Sequence, residues 1–246
     1  QFLAAKIAEV KAHSKITVHT GAEVKKTDGF VGNFETTLTS GGTVKHGAIV
    51  LATGGVEYQP TEYLAGTSAN VITQRDLEKK LFGEKLAPRS GERYIMIQCV
   101  GSREEPAQYC SRVCCQDAIK NAIAIKQKNP AAEVVIIYRD IRTYGLREDY
   151  YRQARDLGVL FVRYDVNRKP AVEQAVNKVQ VRTWDYMLNR ELQFDADWLV
   201  LSVGLRPHPT TDSVGAMYKV TRNPDGYYLE AHVKLRPVDF PSEGLF

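Results

Sequence analysis

The chain has 246 residues, 33 Lys+Arg against 29 Asp+Glu for a formal net charge of +4, and 43% hydrophobic residues. This excludes a disordered chain, and so mild a basicity argues against nucleic acid as a partner. No stretch approaches the roughly 20 uninterrupted apolar residues of a membrane span, so no direct membrane insertion is expected.

At about 150 residues per domain, the length suggests one to two domains. Gln1 falls in mid-helix pattern with no initiator Met, and the chain stops at Phe246, so the sequence reads as a fragment of a longer protein. Apolar residues at Phe2, Leu3, Ile7 and Val10 predict an amphipathic helix from Gln1 to Lys11. Lys15 to Thr20 alternates as a short strand. Phe34 to Thr39 and Thr43 to Leu51 read as strands joined by the turn Ser40-Gly41-Gly42. Val50 to Gly55 is an apolar strand running into small residues. Tyr58 to Asn70 is irregular. Thr73 to Leu81 predicts a helix with Thr73 as N-cap and Asp76 three residues on. Gly83 to Gly91 is a polar connector.

Tyr94 to Val100 is a mostly apolar run, as expected of a strand buried on both faces of a parallel sheet. Ser111 is placed to cap a helix through Lys128. Glu133 to Tyr138 is a second buried strand, Arg147 to Leu157 a helix stopped by Gly158, and Val159 to Tyr164 a third strand. This alternation predicts a doubly wound α/β parallel sheet. Lys178 to Asp185 and Glu191 to Phe194 form a hairpin, and Asp197 to Val203 is another buried strand.

Gln1 to Gly55 and Arg147 to Gly204 follow the same plan: helix, strand, antiparallel hairpin, apolar strand ending in Gly. Such a repeat predicts two dinucleotide-binding units with inserted β-meanders. The expected domains are a partial FAD-type domain (1–60 and 205–246), a connector (61–90) and an NAD(P)-type domain (91–204).

In the second unit, the turn that would hold a pyrophosphate carries Gly101 but no G-x-G-x-x-G, which argues against NAD(P) there. Arg139, Asp140 and Arg142 stand after the second strand, where a ribose-reading group belongs, and read first as a salt-bridged loop. The seven arginines between Arg139 and Arg168 read first as a solvated helix face and loop, and alternatively as a basic surface for a nucleotide phosphate or an acidic electron-transfer partner. The protein's four cysteines, Cys99, Cys110, Cys114 and Cys115, stand where the glycines are missing. Soft thiolates in fours select iron–sulfur clusters or zinc. The spacing lacks the paired C-x2-C of common zinc sites, which places a [4Fe–4S] cluster ahead of zinc. Ala52, Thr53 and Gly54 close the first unit, where small residues allow a flavin nucleotide close to the backbone.

The stretches Ile97 to Arg103, Tyr109 to Cys115, Tyr138 to Gly145 and Glu230 to Val238 resemble the A subunit of heterodisulfide reductase. The flavin subunit of the quinone-interacting membrane-bound oxidoreductase complex is a similar relative. The resemblance implies a thioredoxin-reductase-like, cytoplasmic FAD and iron–sulfur oxidoreductase. Its electron partners would be hydrogenase, ferredoxin-type carriers and the other subunits of a heterodisulfide-reductase-like complex. It carries Cys99, Cys110, Cys114 and Cys115 over as cluster ligands. The family's FAD-binding G-x-G-x-x-G and additional ferredoxin-type cysteines are absent from these residues. A zinc-stabilised scaffold without redox activity and an NAD(P)H-dependent flavin oxidoreductase are the alternatives.

Overall fold

A computed structural model describes residues 2–83 and 86–246. Gln1, at the start of the first expected helix, and Glu84 and Lys85, inside the expected connector, lie outside the described residues. The chain forms two compact units, residues 1–54 with 207–246 (unit 1) and residues 55–206 (unit 2). Residues 61–90 therefore fall inside unit 2.

Unit 1 begins with helix α1 (Phe2–Ala12). No residue of α1 is buried, so its apolar positions cover no core here, against the amphipathic reading. Lys15 to Thr20 forms no strand; Ile16 and Val18 are exposed. The meander is instead built from β1 (Val24–Phe30), β2 (Asn33–Leu38) and β3 (Thr43–His46), all antiparallel. β1 escapes a pattern reading because Lys25, Lys26 and Asp28 give it little apolar alternation; its pairing with β2 makes it a strand. Beyond β3 the backbone of Ile49 and Leu51 bonds to residues 244–246, a single parallel bridge rather than a long strand. Phe34, Ile49, Val220, Phe240 and Leu245 form the core.

Unit 2 continues with β4 (Gly55–Glu57), β5 (Val71–Thr73) and α2 (Gln74–Phe82). Thr73 caps α2 as expected, its hydroxyl accepting the Asp76 N–H at 3.2 Å. Then follow β6 (Arg93–Val100), α3 (Cys114–Lys128), β7 (Glu133–Tyr138), a 3-10 turn at Gly145–Arg147, α4 (Glu148–Asp156) and β8 (Leu160–Arg163). The meander β9 (Ala171–Gln174), β10 (Val179–Asp185) and β11 (Arg190–Ala196) precedes β12 (Trp198–Val203), and the chain leaves through β13 (Leu205–Pro207). A last helix, α5 (Thr211–Tyr218), belongs to unit 1. The parallel sheet runs β5-β12-β6-β7-β8.

β6 is central, and Tyr94, Ile95, Met96 and Ile97 are completely buried. Tyr94 and Met96 pack on Leu77, Leu81, Ala118, Ile119 and Ala122 of the helical layer. Ile95 and Ile97 face Val179, Val181 and Ala196 of the meander. Each buried Ile, Leu, Val or Met side chain among them contributes about 1.5–3 kcal/mol relative to exposure. That is why an unbroken apolar run, rather than an alternating one, marks this strand. Among the described residues no helix is long and apolar enough to cross a membrane.

Candidate metal centre

β6 carries the first cysteine. Ile97 pairs with Leu201, but Val100 pairs with Val203, so β6 holds one residue more than β12 across this step. The extra residue coincides with Cys99, whose φ of 64° lies in the left-handed region. A bulge of this kind re-aims a side chain out of the pleat. A non-glycine residue held at positive φ is strained and is found where surrounding structure enforces it. Gly101, Arg103 and Arg112 also have φ near 60°, at 61°, 65° and 62°. Left-handed residues alternating with ordinary ones turn successive N–H groups inward, the geometry of anion-holding nests at many iron–sulfur sites.

Cys110 sits in the loop, and Cys114 and Cys115 open α3. Ser111 does not cap this helix: the cap position is Val113, without a side-chain bond, and Ser111 Oγ instead accepts the Leu205 N–H at 2.7 Å. All four thiols are free, and Cys99, Cys114 and Cys115 are buried. The Cys115 side-chain hydrogen bond pushes Cys114 well up, reinforced by burial and by the charges of Cys115, Cys99 and Cys110. Cys115 is lowered to about 7, chiefly by that same bond, with burial opposing and the Arg142 N–H assisting. Burial pushes Cys99 up, as does the charge of Cys115, while Arg103 and Arg139 pull it down. Buried thiolates that repel one another need a cation between them to coexist.

Arginines surround the set. Arg103 Nη1 donates to Cys99 Sγ at 3.9 Å and to the carboxylate of Asp140. Asp140 also pairs with Arg142 Nε at 3.4 Å, and its carbonyl oxygen accepts from Cys115 Sγ at 3.9 Å. The salt bridge expected in the loop after β7 forms between Asp140 and Arg142, and the loop meets Cys115 through the Asp140 carbonyl. Nothing in the spacing of Arg103 or Asp140 announced their contact.

Gly101 is packed rather than open. A Cβ there would lie 2.2 Å from Cδ1 of the Tyr58 ring, and the Gly101 carbonyl accepts from Arg206 Nη2 at 2.6 Å. The Arg206 guanidinium in turn lies 4.7 Å from the centre of the Tyr58 ring. Gly204, at the end of β12, passes so close that a Cβ would lie 2.9 Å from Ser102 Cβ. In unit 1, Ala52 and Thr53 line a cavity of about 600 Å³ with Thr36, Leu38, Val214 and Met217. Gly54 has φ 69°, and the Tyr228 hydroxyl bonds to the Thr53 side chain.

The donor set fits a soft-metal cluster by its chemistry: four thiols free of disulfides, two of them opening α3, with a nest-forming loop and neighbouring cations. Among the described residues, no three His, Cys, Asp or Glu side chains are grouped closely enough to hold a single metal ion.

No protein-family model matches the chain. It is 38% identical over 221 residues to the iron-sulfur A subunit of the CoB–CoM heterodisulfide reductase of Methanocaldococcus jannaschii, covering 82% of this chain and 33% of that protein. It is 33% identical over 243 residues to the A subunit of the ferredoxin:CoB-CoM heterodisulfide reductase of Methanosarcina acetivorans, covering 81% of this chain and 30% of that protein. The chain spans about a third of the length of the curated relatives it matches. T. acidophilum thioredoxin reductase superposes with a TM-score of 0.58 at 15% identity, covering 100% of this chain and 70% of that one. L-lysine 6-monooxygenase from Pseudomonas syringae superposes with a TM-score of 0.54 at 14% identity, covering 100% of this chain and 65% of that one. The fold is therefore the thioredoxin-reductase-like α/β fold that the resemblance implied. Over four-fifths of its length, the chain is a homologue of the A subunit of heterodisulfide reductase, corresponding to about a third of that protein.

Proposed function

We propose that the chain belongs to an electron-transfer oxidoreductase, as part of one of its subunits, and that Cys99, Cys110, Cys114 and Cys115 hold one [4Fe–4S] cluster. The observation that carries this reading is the cysteine set itself: a bulged strand end, a loop and a helix start supply four thiols, none in a disulfide. Such a cluster supplies one-electron transfer, which a flavin, taking electrons in pairs, needs for onward delivery. The chain's own residues do the rest. The β6 bulge aims Cys99, the α3 start presents Cys114 and Cys115, and the nest-like loop and arginines offset negative charge.

FAD is assigned to unit 1, as part of the flavin domain, with Ala52, Thr53 and Gly54 against the nucleotide. The domain reading is then a partial FAD-binding domain (1–60 and 205–246), a connector (61–90) and an NAD(P)-like domain (91–204) carrying the cluster. Gly101 is proposed to serve the cysteine loop, since Tyr58 covers its open face. The same covering argues against an NAD(P)H-dependent flavin oxidoreductase. The names of the relatives join heterodisulfide reduction to ferredoxin and, in Methanococcus maripaludis, to H2 or formate. From these we take other subunits of a heterodisulfide-reductase-like complex and hydrogenase or ferredoxin-type carriers as partners, in the cytoplasm.

Zinc on the same cysteines, in a scaffold without redox activity, is the second reading. Purification under argon separates the two. The cluster reading expects a brown protein with about four iron and four sulfide per chain; a colourless protein with one zinc supports the scaffold.

A further inference from the structure

We infer that Arg103 is a potential-setting residue for the cysteine site: clamped by Asp140, it directs an N–H and a positive charge at Cys99, favouring the reduced state of the metal group bound there. This deepens the cluster reading above and rests on it.

The geometry is specific. Arg103 lies four residues beyond Cys99, with φ 65°, and its backbone N–H is fixed by the carbonyls of Ala107 and Tyr109 at 2.8 and 3.1 Å. Its side chain is only 19% exposed, so the charge is poorly screened. Nη1 reaches both Cys99 Sγ and the Asp140 carboxylate. Arg142 Nε reaches the same Asp140 carboxylate oxygen at 3.4 Å, and the Asp140 backbone carbonyl meets Cys115. Arg139 Nη1 closes the circuit by donating to the Arg103 carbonyl at 3.3 Å. One acidic residue therefore joins the guanidinium on Cys99 to the backbone under Cys115. Reduction adds one negative charge to a cluster and its thiolates. A hydrogen bond to a ligating sulfur and a nearby cation stabilise that added charge, which raises the reduction potential.

The test is a mediator-poised titration of the full chain under argon, in which dithionite supplies one electron per cluster and is oxidised as the iron is reduced. Midpoints are read from visible absorbance and from the EPR signal of the reduced form. R103Q is expected to shift the midpoint to more negative potential and R103K to shift it less. R152Q removes an equal charge from the exposed face of α4, and is expected to leave the midpoint in place. Equal midpoints in wild type and R103Q, or an equal shift in R152Q, overturn the inference. Should R103Q fail to retain iron, R103K alone decides, since an unmoved midpoint there removes the role of the guanidinium fork. Absence of iron from the wild type instead refutes the cluster reading, a result separate from any potential.

Discussion

Gln98 donates from Nε2 to Ser202 Oγ at 2.8 Å, tying β6 to β12 one residue before the backbone of Cys99 turns left-handed. Gln74 Nε2 shares that hydroxyl at 3.1 Å, and Asn121 Nδ2 donates to Gln74 Oε1 at 2.9 Å. A buried polar chain thus runs from the central strand to α2 and α3. It fixes the strand that the bulge distorts.

Ser202→Ala removes the shared acceptor and leaves two buried amides short of a partner. The expected loss is about 1–3 kcal/mol in unit 2, seen in urea unfolding as a lower midpoint with unchanged slope. An unchanged midpoint would show that the network does not brace β6.

Gly204→Ala places a methyl 2.9 Å from Ser102 Cβ and 3.1 Å from the Gly101 carbonyl. Backbone must shift, at a cost of about 1–3 kcal/mol. Because the displaced segment is the cysteine loop, thermal stability and metal retention are expected to fall together. A variant that melts like wild type and keeps its metal would contradict this packing.

Much of this organisation is legible in the sequence, for definite reasons. β6, β7 and β12 are visible because strands buried on both faces need unbroken apolar runs, and α2 because Thr73 supplies its cap. The cysteine set is visible as a set, since four donors in one window with none elsewhere is a local pattern. β1 is not visible: Lys25, Lys26, Asp28 and Gly29 look like loop, and only the partner strand makes them extended. β9 is short and mostly exposed, so it lacks a pattern as well. Tyr58 over Gly101 and Asp140 beneath Arg103 join residues 43 and 37 positions apart, and such pairs carry no local signature.

The lower edge of unit 2 carries a pH dependence. Burial penalises the charged form of Glu92, but the Arg89 N–H, the Tyr94 hydroxyl, the Arg89 guanidinium and Trp198 Nε1 outweigh it and hold the carboxyl below its ordinary value. A carboxylate depressed on folding adds stability above its unfolded value, about 4.3 for glutamate. That stability is lost as pH falls through the lower folded value. Unfolding free energy should therefore decline below about pH 4.3. E92Q should be less stable at neutral pH and show a flatter acid limb in urea melts at stepped pH. Identical acid limbs in the two proteins would remove Glu92 from this role.

The central claim is most directly tested by iron and acid-labile sulfide analysis of protein purified under argon, with Cys114→Ser beside the wild type. About four iron and four sulfide per wild-type chain, falling sharply in the variant, is the predicted result. Stoichiometric zinc without iron, or an iron content indifferent to Cys114, would contradict it.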